Sequence, residues 1–375
     1  MKKQISVLTA LLTAAAFAVT GCGASGDNAA PSASSKAASQ EVSEETKHSE
    51  AETTKAENTG AETGSETVSE EAKEDSGAAA VRVGSLKGPT SMGLAYLMET
   101  AKNGETANTY EFTMAGKADE LVGNIANGSL DIALVPANVA SVLYNKTQGQ
   151  VKVIDINTLG VLYVVASDDS ISTMEDLKGK TVYMTGKGTT PEFAMNYLLA
   201  ENGLGSGEVT MEFKSEVAEV ASILKEDPSA IGVLPQPFAS AACMQNPKLK
   251  TVMDLTEQWD LLNKEGNSRM VTGVTIVRTG FLEEHEAAVE RFLKDHAESA
   301  EYTSAEPEKA AQLVADIGIV EKAAMAQKAM PLCNIVCITG EEMKQALSGY
   351  LEVLSGQDAK SIGGTLPGDD FYYLP

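Results

Sequence analysis

The sequence predicts an α/β fold in two lobes, each a mainly parallel sheet flanked by helices, with two hinge strands joining them. Three observations carry this. A strand, a tight turn and a helix follow one another at Val81–Met98, and the same order returns at Lys180–Leu198. Each stretch continues through strand, helix, strand and helix, an alternation that builds parallel sheets with helical faces. Two apolar, β-rich runs, Leu159–Ala166 and Val271–Val277, are placed to cross from one repeat to the other and back.

Taken in order, Val81 opens a strand that ends in the turn Lys87-Gly88-Pro89. A single helix follows, with Leu94, Leu97, Met98 and Ala101 at helical spacing and Gly104 as its stop. Tyr110–Met114 reads as a strand, and a helix from Ala118 turns Leu121, Val122 and Ile125 inward. Asp131–Val135 is a buried strand that ends at Pro136-Ala137-Asn138, where a helix through Tyr144 begins. In the second repeat Thr181–Met184 is a strand, Gly186–Thr190 the turn, and a helix runs to Asn202-Gly203. Strands at Val209–Phe213 and Ala230–Leu234 flank a helix over Ser215–Lys225, and Pro235-Gln236-Pro237 forms the last turn. Helices over Glu283–Tyr302, Pro307–Asp316 and Glu341–Leu354 return to the first lobe. The expected division is lobe 1 at 80–162 and 276–375, and lobe 2 at 163–275.

A chain of 375 residues has room for two domains, and 43% hydrophobic content supplies their cores. The net charge of -24 excludes nucleic acid as a partner, because phosphate binding needs an excess of Lys and Arg. Much of that charge is local. Residues 23–79 carry 13 acidic residues against 4 lysines and almost no large apolar side chains. Such a segment cannot offset its ordering entropy by burial, so it reads as a disordered acidic tether with a reach of roughly 40 Å. Ahead of it, Lys2 and Lys3 precede an apolar run from Ile5 to Val19, closed by Val19-Thr20-Gly21-Cys22. That is a secretory signal at 1–22, too short to serve as a membrane span.

Cys333 and Cys337 lie four apart in PLCNIVCIT. A zinc site wants further Cys or His at ligand spacing, and the neighbouring sequence has none. They read as buried free thiols, and neither a metal nor a cofactor is expected. His285 and His296 fall in a charged segment that reads as the solvated face of a helix. No positioned acid–base pair is then left, and the chain is not expected to be an enzyme.

In sheets of this type ligands gather outside the carboxyl ends of the strands, where both Lys-Gly turns and both Pro turns fall. Helix starts there present free N–H groups and partial positive charge. The candidate contacts are therefore Lys87, Gly88, Thr90 and Ser91 facing Lys187, Gly188, Thr189 and Thr190, with Asn138 and Gln236 after the Pro turns. The same residues also suit helix capping. Thr189 with Glu192 fits a capping box, Thr190 before Pro191 fits an N-cap, and so does Asn138. Phe238, Tyr163 and Trp259 are either stacking surfaces or core, and Arg269 either closes on an anionic ligand or forms a surface ion pair.

The Cys22 lipobox with its tether, the opening VRVGSLKG, and DLKGKTVYMTGKGTTPEF at 176–193 resemble solute-binding lipoproteins of ABC importers. The resemblance is to the sulfonate/nitrate/taurine and thiamine-pyrimidine-precursor branch, with a type II periplasmic-binding fold, and it covers about residues 80–375. It implies capture of a small polar or anionic organic solute between two closing lobes. It also implies delivery to permease subunits driven by an ATPase, and a monomer held outside the cytoplasm by lipid on Cys22. A ligand-sensing lipoprotein, or an enzyme of menaquinone- or thiamine-precursor type on the same fold, are the alternatives.

Overall fold

Residues 79–375 are described by the structure, a computed structural model; the signal, Cys22 and nearly all of the tether lie outside them. The first repeat contains β1 (Ala80–Leu86), α1 (Pro89–Met92), α2 (Ala95–Lys102), β2 (Thr109–Ala115), α3 (Ala118–Ala126), β3 (Ile132–Pro136) and α4 (Ala137–Thr147). Then come β4 (Val151–Leu159) and β5 (Leu162–Ala166). The second repeat is β6 (Thr181–Met184), α5 (Thr190–Glu201), β7 (Thr210–Phe213), α6 (Val217–Glu226), β8 (Ile231–Pro235) and α7 (Phe238–Gln245). After β9 (Lys250–Asp254) and α8 (Leu255–Leu262), the chain returns through β10 (Val271–Arg278) to α9 (Thr279–Glu284), α10 (Glu286–Ala305), α11 (Pro307–Asp316), α12 (Ala323–Ala329), β11 (Ile335–Ile338) and α13 (Gly340–Gln357).

The strands form a six-stranded sheet, β11-β4-β10-β3-β1-β2, and a five-stranded sheet, β7-β6-β8-β5-β9. The expected parallel character belongs to three strands in each: β1 runs parallel to β2 and β3, and β6 runs parallel to β7 and β8. The strands next to the crossings are antiparallel, β10 to β3 and β4, β5 to β8 and β9. The two sheets thus share one order, with a strand from the far side of a crossing inserted beside β3 and beside β8.

The outward crossing is where the sequence puts it. β4 belongs to the first sheet and β5 to the second, so the chain changes sheets at Gly160-Val161. The return is not at Val271–Val277. All of β10 pairs within the first sheet, from Val271 opposite Leu159 to Arg278 opposite Val151, so the chain has already crossed over residues 263–270. An apolar β run shows that a strand is buried without showing which sheet holds it.

The helix expected after Lys87 is also broken. α1 is a single turn, and α2 starts at Ala95. A Cβ on Gly93, between them, would sit 3.0 Å from Ile335 Cγ2 and 3.6 Å from His296 Nε2, so the chain lies close against β11 and α10 there.

One apolar cluster runs through both sheets, from Val153 and Ile156 of β4 through Val164 of β5 to Met195, Trp259 and Tyr350. Trp259 is fully buried, packs at 4.4 Å from the Tyr197 ring and 5.4 Å from the Tyr350 ring, and donates from Nε1 to Ser268 Oγ at 3.1 Å. It is a core residue. His296 is a correction to the solvated face expected of α10. It is fully buried, and its ring lies one turn beyond Phe292 on the inward face. The spacing of Val289, Phe292 and His296 carried that signal beneath the charges around it.

Candidate functional site

Between the two sheets lies a cavity of about 250 Å³. Its walls come from the carboxyl ends of β3, β6 and β8 (Pro136, Met184 and Pro235), the first turn of α5 (Thr190, Pro191), and the outward crossing at Val161 and Leu162. Met270, Val271, Thr272 and Tyr350 complete it from the other side. Strand carboxyl ends are where the alternating topology places a ligand.

Of the ten candidate contacts, this cavity gathers two, Asn138 and Thr190. Asn138 is the second residue of α4 and not its N-cap, which is Pro136; its Nδ2 donates to Ser361 O at 3.2 Å. Thr190 begins α5.

The other candidates are spread around it. Thr90 and Ser91 are buried, and both hydroxyls fold back to donate to Leu86 O, at 2.8 and 2.7 Å. Ser91 also meets Ser85 Oγ at 2.7 Å. A Cβ on Gly273 of β10 would lie 2.5 Å from Thr90 Cγ2, so this turn is packed onto its own sheet. Gly88 has φ 141°, a backbone that glycine adopts without steric cost. Lys87 is exposed and lines a separate groove of about 790 Å³, with the exposed Phe238 of α7 and Ile319, Val320 and Lys322 before α12. Neither of these two openings is lined by both Lys-Gly turns.

Lys187, Gly188 and Thr189 are exposed, and the Lys187 ammonium lies 5.9 Å from the Phe213 ring centroid. The expected capping box does not form. Thr189 is the N-cap by position, but its hydroxyl donates to Gly186 O at 2.6 Å, and the Glu192 carboxylate accepts from Gly188 N instead of from Thr189 N. The α5 start is therefore already met by an acidic side chain.

Gln236 is buried; its Oε1 accepts from Ser240 N at 3.3 Å, while Nε2 has no partner among the described residues. Tyr163 is core, donating to Leu332 O at 2.7 Å. Arg269 pairs with Asp260 at 3.2 Å, the surface ion pair that the sequence allowed.

The sequence reading missed Thr185, Thr272, Met184, Met270 and Tyr350. Thr185 follows β6 and was open to the strand-end argument. Tyr350 sits at core spacing on α13, with Met343, Leu347 and Leu354, and nothing in the sequence sets it apart.

A second cluster lies in the first lobe. Asp155 Oδ2 meets His296 Nδ1 at 3.0 Å, and Asp155 Oδ1 accepts from Thr275 Oγ1 at 2.7 Å. Cys337 has its ligand-type atom within 4.8 Å of theirs. The sequence offered Cys337 no ligand neighbours, and the fold supplies two from distant elements. Burial, then the Asp155 charge, pushes the Cys337 thiol far up and keeps it protonated, which deprives it of nucleophilic character. None of the three lines either opening.

The shared strand order of the two sheets, with a cavity at their carboxyl ends, defines a periplasmic-binding-type α/β fold. Residues 98–249 match the family model described as "ABC transporter, phosphonate, periplasmic substrate-binding protein". Over that stretch the chain is similar to an ABC-transporter substrate-binding domain, the class its sequence resembles.

A Brucella abortus protein described as "Putative binding protein" is 25% identical over 251 residues, which is 64% of this chain and 70% of that one. Among solved structures, an ABC transporter protein from Parabacteroides distasonis superposes with a TM-score of 0.65 at 22% identity, covering 78% of this chain and 98% of that chain. The periplasmic aliphatic sulphonate binding protein of Escherichia coli gives 0.62 at 16% identity, over 79% and 92%. These two likenesses show the fold. Among the described residues no helix is long and apolar enough to cross a membrane.

Proposed function

We propose that the protein is the extracytoplasmic solute receptor of an ABC importer, held to the membrane by lipid on Cys22. In this reading a small polar or anionic organic solute is captured between the lobe built on the first sheet, to which β10 returns, and the lobe built on the second, and is passed to permease subunits driven by an ATPase. The observation that carries it is the cavity walled by the carboxyl ends of β3, β6 and β8 on two sheets joined by two crossings. Walls from both lobes bind a solute fully only when closed, so occupancy favours the closed form by the difference in affinity between the two forms. The protein works as a monomer that binds and releases its solute without changing it.

The test has two parts. Small-angle scattering of the chain with and without bound solute is expected to show a smaller radius of gyration when loaded; equal radii would remove the closure mechanism. Cys22→Ser is expected to release the protein from the membrane fraction, and retention there would remove the lipid anchor.

A further inference from the structure

The two crossings between the sheets run side by side, since a Cβ on Gly160 would come within 3.0 Å of Met270 Sδ. Two adjacent strands define an axis, and contacts away from it must fix the rotation about it. On the cavity side that contact is α13 packed on α5. On the side of the groove it comes from residues 330–334, between α12 and β11.

This segment belongs to the first lobe but reaches into the second. Met330 and Cys333 are buried in a first-lobe cluster with Ala310, Val314 and Ala326. Leu332, between them, turns the other way. It packs against the cluster of Tyr163, Val165, Val220 and Leu234, in which every other residue comes from the second lobe. The Tyr163 hydroxyl donates to Leu332 O at 2.7 Å. Asn334 Nδ2 donates to Gly160 O at 2.7 Å, and α12 ahead of the segment packs on α7. Within five residues the chain holds the first lobe, the second lobe and the outward crossing. Tyr163, Leu332 and Asn334 line neither the cavity nor the groove. One net hydrogen bond changes an equilibrium about fivefold, and a half-buried leucine set free in water changes it roughly tenfold.

We propose that residues 330–334 are a third, non-covalent limb of the hinge, which sets the resting separation of the lobes from outside the solute site. The proposal rests on the solute-binding reading above and adds two positioning residues to it, Tyr163 and Leu332. They fix what share of the solute-free chain already has its walls together, and so set the apparent affinity without touching the solute.

The test measures lobe separation in the full chain, stripped of co-purified small molecules, as a spin-label distance. The labels sit on Glu120→Cys of α3 and Glu219→Cys of α6, both exposed positions. Cys22→Ser and Cys243→Ser clear the background, and burial pushes the Cys333 and Cys337 thiols up and keeps them from labelling. Tyr163→Phe is expected to raise the population at longer distances about fivefold, and Tyr163→Phe with Leu332→Ala to raise it further. Tyr163→Phe keeps the ring in its core, so it reports even where Leu332→Ala unfolds. Val289→Ala, in another first-lobe cluster, controls for lost stability and should leave the distribution unchanged. Distributions that superimpose on wild type in the Tyr163 and Leu332 variants would overturn the third limb, and so would equal broadening in Val289→Ala. Either result leaves the solute-binding reading standing, because no solute enters the measurement.

Discussion

Asn334 Nδ2 donates to Gly160 O at 2.7 Å, and Asn334 O accepts from Leu159 N at 3.0 Å. One residue from the start of β11 thus holds both sides of the point where the chain leaves the first sheet. Asn334 has φ 47°, a left-handed backbone that asparagine tolerates better than most residues. Gly160 has no space for a side chain, since a Cβ there would run into Thr256 Oγ1 and lie 3.0 Å from Met270 Sδ. The crossing is therefore pinned by a side chain more than 170 positions away.

Asn334→Ala removes the pin and puts a less suitable residue in the left-handed region. The expected loss is about 1–2 kcal/mol of unfolding free energy, read from the urea midpoint. Asn334→Gly keeps the backbone but loses the bond, so it should fall between Ala and wild type. Equal midpoints for Ala and wild type would remove the role given to this residue.

Gly349 of α13 lies against the return crossing, where a Cβ would collide with Asn267 O and come within 2.8 Å of Ser268 Cβ. Backbone cannot move aside as a long side chain can. Gly349→Ala is expected to cost about 1–3 kcal/mol despite alanine's better helix propensity. A melting temperature equal to or above wild type would show that α13 has slack there.

Asp131 ties three strand ends together. Arg82 reaches it at 2.8 and 2.6 Å, and Arg278 at 3.0 Å. Burial pushes its carboxyl up, but the hydrogen bonds from Arg82 and Arg278 outweigh this and hold it below the usual carboxylate range. A carboxyl with a lowered folded pKa stabilises the protein above its unfolded pKa, near 4, and that stability is lost as pH falls through the folded value. Asp131→Asn should cost about 3 kcal/mol at neutral pH, and the gap from wild type should narrow steadily below about pH 4. A gap independent of pH would contradict the ionised carboxylate.

Removing Asp155 leaves the His296 Nδ1 and Thr275 hydroxyl partners unmatched inside the first lobe. Asp155→Ala is expected to cost about 3 kcal/mol, measured by urea unfolding. Because none of the cluster lines the interlobe cavity, affinity for the bound solute in the variant should be within about twofold of wild type under conditions where it is folded. A larger change in affinity would tie this cluster to the site.

The Cys333 thiol is fully buried, and burial pushes its pKa up to about 12. At pH 8 it should not react with a thiol reagent until the chain is unfolded, whereas Cys243, half-buried, should react slowly in the native state. Fast labelling of Cys333 in native protein, located by peptide mapping, would show that the first lobe opens locally.

The sequence by itself determined the repeated strand–helix order, because hydrophobic period and Gly/Pro turns are local properties. Thr181–Met184 is a strand of those bounds, and the Pro136 and Pro235 turns do end β3 and β8. The outward crossing at Gly160 was legible for the same reason, since an apolar run joins two repeats there. What only the tertiary structure decided is how distant segments share space. Val271–Val277 reads equally well as a crossing or as a central strand, and its register against β3 and β4 makes it a strand. The single helix expected across Gly93 breaks where β11 and α10 come close. Thr90 and Ser91 have the residue types of a ligand contact, but their hydroxyls are spent on Leu86 O, whereas Tyr350 has the spacing of a core residue and lines the cavity. A side chain's identity says what it can bind, and the packing around it settles which of its hydrogen bonds are left to make.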